Sequence, residues 1–173
     1  VMVPTRELAV QVQDVFQLFI HTNTDKIKSM AVYGGVSINP QMIKLQGVQL
    51  LIATPGRLIE LVESKAISLS EVETLVLDEA DKMLDMGFSD DLVRIISELP
   101  TDRQTLMFSA TMPSKIRDLA KRILKNPEEI TLSISKPAAG VKQSVYLTFD
   151  NQKIPLIKEI LLAREDYTSI IIF

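Results

Sequence analysis

The sequence predicts an α/β protein built on a doubly wound parallel sheet flanked by helices. Three observations carry that expectation. Short apolar runs without alternation, such as Gln49-Leu50-Leu51-Ile52-Ala53 and Thr74-Leu75-Val76-Leu77, read as strands buried on both faces. Between them lie segments whose apolar residues recur at helical spacing, so strands and helices alternate along the chain. Four of the apolar runs also end in a short polar cluster, as expected where a parallel sheet presents its carboxyl edge to a ligand.

Val1-Met2-Val3 reads as a strand end, turned into a helix by Pro4-Thr5-Arg6-Glu7. In that helix Leu8, Val12, Val15, Phe16 and Phe19 mark one buried face up to about Asn23. The single histidine, His21, falls near its end and has no Cys, Ser or second His nearby, so it reads as a solvent-facing C-terminal residue. Residues 29–33 read as the next strand, broken by Gly34-Gly35, and a short helix follows around Pro40 to Gln46. The strand at 49–53 ends in Thr54-Pro55-Gly56-Arg57, with Thr54 at an N-cap and Pro55 at the first helical position. Leu58, Leu61 and Val62 carry the buried face of that helix.

After residues 74–77 come Asp78-Glu79-Ala80-Asp81 and a short helix from Lys82 to Phe88, stopped near Gly87. Leu92, Ile95, Ile96 and Leu99 mark a further helix ended by Pro100. Residues 105–108 form a fourth apolar strand closing in Ser109-Ala110-Thr111, and Pro113 opens a helix that Asn126-Pro127 stops. Short strands are expected at 130–132, 145–149 and the final residues, with a helix from about Gln152 to Arg164. Ser133 to Gly140 is the linker candidate. Both ends of the sequence look like strand interiors, so a piece of a longer protein is expected.

Composition excludes little. The chain has 173 residues, 46% hydrophobic and 24% charged, ordinary for a globular domain. No apolar stretch approaches a membrane span, so no membrane partner is expected, and zero cysteines fit a reducing, cytoplasmic setting. A net charge of −3 and a pI near 5.3 leave no strong basic field, so a nucleic acid would have to be held by local groups.

The four clusters are Pro4-Thr5-Arg6, Thr54-Pro55-Gly56-Arg57, Asp78-Glu79-Ala80-Asp81 and Ser109-Ala110-Thr111. Asp78 and Glu79 admit two readings. They are an acidic helix start, or a pair in which one acid holds hydrated Mg²⁺ and the other orients a water. Thr5, Thr54 and Thr111 each read either as helix caps or as ligand contacts. Arg6 and Arg57 oppose the helix dipole in a first turn, which points to an expected anion.

These residues also carry a family resemblance. Asp78-Glu79-Ala80-Asp81 resembles the motif that names the DEAD-box ATP-dependent RNA helicases. Pro4 to Ala9 resembles that family's motif Ia, Gly34-Gly35 its GG element, Thr54 to Arg57 motif Ib, and Ser109 to Thr111 motif III. Residues 1–134 then resemble most of a first RecA-like, ATP-binding domain, 135–140 a linker, and 141–173 the opening of a second RecA-like domain. The resemblance implies ATP and Mg²⁺ as cofactors, with Asp78 holding the metal through water and Glu79 positioning the attacking water. It implies that Asp81 connects to Ser109 and Thr111 to couple hydrolysis to RNA separation. Pro4, Thr5, Arg6, Gly34, Gly35, Thr54, Pro55, Gly56 and Arg57 would hold one RNA strand by its sugar-phosphate backbone, without reading sequence. The family's Gly-x-x-x-x-Gly-Lys-Thr phosphate loop does not occur in these 173 residues. The chain alone is therefore expected to hydrolyse no ATP and to unwind no RNA, leaving an RNA-backbone or partner-binding module as the alternative. The resemblance places the phosphate-loop strand beside the 105–108 strand, so its absence would leave that strand with an unpaired edge, and self-association, a swap of residues 141–173, or docking of that segment is expected.

Overall fold

In the computed structural model the described residues are 1–21, 27–132, 140–163 and 168–172. The chain divides into two units, Val1–Glu128 and Glu129–Phe173.

The first unit alternates helix and strand: α1 (Arg6–His21), β1 (Ser29–Val32), α2 (Asn39–Lys44), β2 (Leu50–Ala53), α3 (Pro55–Glu63), β3 (Thr74–Leu77), α4 (Ala80–Asp85), α5 (Ser89–Ser97), β4 (Gln104–Met107) and α6 (Ser114–Ile123). β1 pairs with β2 and β3 with β4, both parallel and both in simple register, Ser29 beside Leu50 and Thr74 beside Gln104. Met2 bridges the two pairs, parallel to Ala53 on one side and to Leu77 on the other. Its N–H donates to the Val76 carbonyl (2.7 Å) and its own carbonyl accepts from the Asp78 N–H (3.0 Å). On the other side, the Val3 N–H donates to the Ala53 carbonyl (3.0 Å) and the Ala53 N–H to the Val1 carbonyl (2.9 Å). Among the described residues the sheet therefore runs β1, β2, residues 1–3, β3, β4, with β1 and β4 at its edges.

Alternation along the central strands sends successive side chains to opposite faces. Val3, Ala31 and Ile52 meet Ala9, Leu8 and Val12 of α1 on one face. Met2, Val32, Ala53, Leu75 and Leu77 meet the larger core on the other, where Leu58, Leu61, Met83, Leu92, Ile95, Ile116 and Leu119 arrive from α3 to α6. Helices thus cover both faces, as a doubly wound sheet requires.

One expectation inside this unit is corrected. The predicted buried face of α1 holds only through its first half: Leu8 and Val12 are half-buried, whereas Val15 (46% exposed), Phe16 and Phe19 (65%) are not covered as expected. A 16-residue helix is about 24 Å long, nearly twice the reach of a four-residue strand, so α1 overruns the sheet. β4 has the unpaired edge expected for residues 105–108, pairing with β3 alone among the described residues. It is an edge strand, with Leu106 38% and Phe108 54% exposed. The edge at β1 is managed differently: the Gln13 side chain accepts a hydrogen bond from the Ala31 N–H (2.7 Å).

The second unit contains α7 (Asp150–Leu162), close to the predicted helix. The strands expected at 130–132, at 145–149 and over residues 169–172 do not form: these segments have no strand partner among the described residues, and Ile130, Leu132, Val145 and Leu147 are each more than 80% exposed. A strand exists only through a ladder partner, and no described residue of this unit supplies one. The side chain of His21, residues 133–139 of the linker candidate and Phe173 lie outside the described residues.

Met2 is buried on both hydrogen-bonded flanks and is only 1% exposed. Met2→Ala is expected to cost about 2–5 kcal/mol, read as a lowered urea midpoint at unchanged slope.

Candidate functional site

Because the sheet is parallel, every strand delivers its following loop to the same edge. In lateral order these are Tyr33-Gly34-Gly35 after β1, Thr54 to Arg57 after β2, Pro4 to Arg6 after the central strand, Asp78 to Asp81 after β3, and Ser109 to Thr111 after β4. Neighbouring strands lie about 4.8 Å apart, so the row spans on the order of 20 Å. It has two halves. Glycines, threonines and arginines occupy three adjacent strand ends, and the carboxylates with their hydroxyl partners occupy the other two. Backbone bonds link the ends: Thr54 N–H to Val32 carbonyl (3.1 Å), Phe108 N–H to Leu77 carbonyl (2.8 Å) and Ala80 N–H to Phe108 carbonyl (3.0 Å).

In the acidic half, Asp78 is half-buried and its Oδ1 accepts the Glu79 N–H (2.9 Å). Glu79 is the N-cap of α4 and holds a left-handed backbone (φ 49°, ψ 49°), a strained conformation for a residue other than glycine. Its carboxylate lies 3.6 Å from Lys82, an exposed pair of little energetic weight. The helix-start reading holds, since the acids occupy the start of α4. Asp81 is the best-connected group: its Oδ2 accepts the Thr111 N–H (2.9 Å) and hydroxyl (2.6 Å), and its Oδ1 the Lys82 N–H (3.0 Å). The Ser109 hydroxyl donates to the Thr111 carbonyl (2.8 Å) and accepts from the Asp81 N–H (3.3 Å). Partial burial raises the Asp81 pKa, but the Thr111 hydroxyl and N–H, with Ser109 and the Lys82 N–H, outweigh it and hold the carboxyl below its usual value.

Among the described residues no three metal-ligating side chains converge. The donor chemistry nevertheless suits Mg²⁺, which keeps most of its waters and takes one or two carboxylates together with substrate phosphates. Asp78 engages one carboxylate oxygen in its own turn and has the other available.

In the other half the structure separates the threonines. The Thr5 hydroxyl accepts the Leu8 N–H (3.3 Å) and caps α1, so the structural reading holds there. Thr54 stands at the N-cap of α3 with Pro55 after it, yet its side chain makes no capping bond, and it is 8% exposed. Thr111 is not a cap at all. Pro113 takes that position on α6, and Thr111 is committed to Asp81.

The arginines separate as well. Arg6 is exposed, its guanidinium 5.0 Å over the Tyr33 ring, a cation–π contact that holds the charge at the edge. Arg57, expected to await an external anion, is 6% exposed; its Nε meets Glu60 Oε2 at 2.8 Å and one Nη donates to the Val36 carbonyl at 2.7 Å. The anion it meets is its own helix's Glu60, three residues on. The remaining Nη1 is buried with no partner. Gly34 and Gly35 are exposed, Gly35 with φ +78°. Pro4 and Pro55 are buried beneath the row, and Gly56 is half-buried.

Sequence reasoning missed Gln41, Tyr33 and Lys82. Gln41 could have been found: Ile38, Gln41, Met42 and Leu45 share one helical face, so the period buries an amide.

A family model described as DEAD/DEAH box helicase matches residues 1–119. The chain belongs to the DEAD/DEAH box helicase family. Over its full length it is 43% identical to DEAD-box ATP-dependent RNA helicase 20 of Arabidopsis thaliana, covering 35% of that protein. Over 88% of its length it is 42% identical to DEAD-box ATP-dependent RNA helicase CshA of Streptococcus pneumoniae, covering 29% of it. A crystal structure of a DEAD box protein from the hyperthermophile Methanococcus jannaschii superposes with a TM-score of 0.72 at 34% identity, covering 92% of this chain and 43% of that one. The yeast DEAD-box splicing factor Prp28 gives 0.66 at 38% identity, covering 72% and 30%. The chain thus spans about a third of the length of these curated relatives. The fold implied by the sequence resemblance, a RecA-like doubly wound parallel sheet, agrees with these neighbours. No helix among the described residues is long and apolar enough to cross a membrane.

The depressed Asp81 pKa carries a sign. A folded pKa below the unfolded value of about 3.9 gives stability that is present above that pH and is lost as pH falls through the lower folded value. Urea midpoints measured from pH 5 downward should fall more steeply for the wild type than for Asp81→Asn, the two curves converging in acid.

Proposed function

We propose that this chain is the RNA-gripping and water-activating part of an ATP-dependent RNA helicase, acting in the cytoplasm. The observation that carries the reading is the division of one sheet edge: three adjacent strand ends bear glycines and Arg6, and the next two bear Asp78, Glu79 and the Asp81–Thr111–Ser109 cluster. The relatives are named ATP-dependent RNA helicases, which supports both halves.

On the nucleic-acid side, Arg6 supplies the exposed charge, while Thr5, Gly34, Gly35, Thr54 and Gly56 let a sugar-phosphate strand approach the backbone. Pro4 and Pro55 stiffen the turns beneath, and Arg57 acts from inside. Such contacts grip without reading sequence, and they need no basic protein. On the other side, Asp78 would hold Mg²⁺ through water, and the metal would neutralise phosphate charge when ATP is bound. Glu79, placed by its left-handed turn, orients the attacking water as general base. Asp81 ties this turn to Thr111 and Ser109 on the next strand end, so a change at the phosphate side is felt at β4. Phosphoryl transfer depends on positioning and electrostatics, and the 173 residues hold no phosphate loop to cradle the nucleotide. The chain alone therefore turns over no ATP. A phosphate-release assay with RNA present should show no difference between wild type and Asp78→Ala.

The glycines give a sharper test. A Cβ added at Gly34 or Gly56 meets nothing within 4 Å, and neither has a positive φ, so the fold itself does not demand glycine there. Gly56→Ala, in the first turn of α3, should hold or raise stability by up to about 1 kcal/mol. It should nevertheless weaken binding of a single-stranded RNA, because the methyl occupies the space of the approaching strand. Arg6→Ala should weaken binding of any RNA sequence and reduce the salt slope by about 1. Unchanged affinity in both variants overturns the RNA reading.

At the other end of the row, β4 pairs with β3 alone among the described residues, leaving an exposed edge with Leu106 and Phe108 beside it. We propose that a second copy of the chain pairs there, since an open edge is a template for an identical strand. Light scattering across a concentration series should show dimer growth that Leu106→Lys abolishes.

A further inference from the structure

The polar groups buried in this unit are few. Gln41, Thr54 and Arg57 are the buried polar residues among those described, and Gln41 belongs to none of the family motifs. Its side chain is fully engaged. Oε1 accepts the Tyr33 N–H (3.0 Å), and Nε2 donates to the carbonyls of Tyr33 (3.2 Å) and Ser37 (3.3 Å). Tyr33 follows the last residue of β1, an edge strand, so beyond Val32 its backbone has no strand partner on the outer side. One primary amide thus bonds both the N–H and the C=O of Tyr33, as a neighbouring strand would. Through Ser37 it also closes the loop that contains Gly34 and Gly35.

The consequence extends to a charge that Gln41 never touches. Tyr33 carries the ring over which the Arg6 guanidinium sits. Fixing the Tyr33 backbone fixes the base of that ring, and the ring fixes Arg6. Arg57 works on the same loop from α3, donating to the Val36 carbonyl. The loop from Tyr33 to Ser37 is therefore held at three carbonyls and one N–H by two buried side chains.

We propose that Gln41 is a positioning residue for RNA: it sets the 33–37 loop and, through the Tyr33 ring, the Arg6 guanidinium, without contacting the nucleic acid. This rests on the RNA-backbone reading above. It goes beyond that reading because the positioning chain runs from a buried helix residue through an aromatic ring to a surface cation.

The test is a double-mutant cycle on the full 173-residue chain, titrating a fluorescein-labelled oligouridylate at several salt concentrations and following anisotropy. Gln41→Met keeps length and apolar bulk while removing every hydrogen bond. It should weaken binding about tenfold, the equivalent of one net hydrogen bond of positioning, and lower the salt slope as Arg6→Ala does. Combined with Arg6→Ala it should add almost nothing, since both remove the same contact. Tyr33→Leu leaves the loop's backbone bonds in place and should reproduce the loss, which keeps the test open if Gln41→Met folds poorly. The core variant Ile95→Val, assayed below its melting temperature, should bind like the wild type. Wild-type affinity in Gln41→Met or in Tyr33→Leu, or full additivity with Arg6→Ala, overturns the positioning role and leaves the RNA reading standing. A wild-type chain that binds no oligouridylate overturns the RNA reading and this inference with it.

Discussion

Three residues hold the first unit together. Val1, Met2 and Val3 give their backbone groups alternately to β2 and to β3, and among the described residues the two strand pairs meet nowhere else in the hydrogen-bond ladder. Met2 and Val3 also face opposite ways, so one short segment seeds both cores, Val3 beneath α1 and Met2 beneath α3 to α6. Each buried backbone group in such a position must find a partner or cost several kcal/mol. The segment is therefore both the spine of the sheet and the condition for the row of loops above it. Without it the glycine-bearing half and the acidic half of the edge would be separate pieces.

Along that edge the two halves are stabilised by different physics. The acidic half is held by charge-assisted hydrogen bonds to a single carboxylate, Asp81, which reaches from the turn after β3 to the loop after β4. Such bonds are stronger than neutral ones, and the depressed pKa is the same fact expressed as a protonation equilibrium. The strained turn at Glu79 sits one residue from that anchor's helix and is over-determined by it: its N–H is taken by Asp78, the Ala80 N–H by Phe108, and its carbonyl by Met83. The glycine-bearing half has no carboxylate anchor of this kind. It relies on buried neutral and cationic side chains, Gln41 and Arg57, that bond loop carbonyls from below. One Nη of Arg57 remains unsatisfied, a local cost that marks this half as the looser one.

The legible part of the protein was the part whose signal is local. Parallel strands announced themselves as apolar runs, and the ends of α3, α4 and α5 as Pro55, Gly87 and Pro100. The motif residues could be placed at strand ends, because in a parallel sheet chain direction alone decides which edge a loop joins. Where the reading failed, the deciding quantity was not local. Val15 has a helical period like that of Leu8 and Val12, yet it is 46% exposed where α1 runs past the four-residue strands. Val145 to Phe149 has strand composition, but the described residues of its unit provide no neighbour.

By itself, then, the sequence determined the class of fold, the order of the first unit's elements and which residues reach the carboxyl edge of its sheet, since those follow from periodicity, chain direction and motif spacing. Only the tertiary structure decided what each polar residue does there. Thr5 caps while Thr111 latches onto Asp81, and Arg6 faces outward over Tyr33 while Arg57 turns inward to Glu60 and Val36. The physical reason is that a hydrogen bond depends on a partner's position in space, and those partners lie up to 30 residues away along the chain.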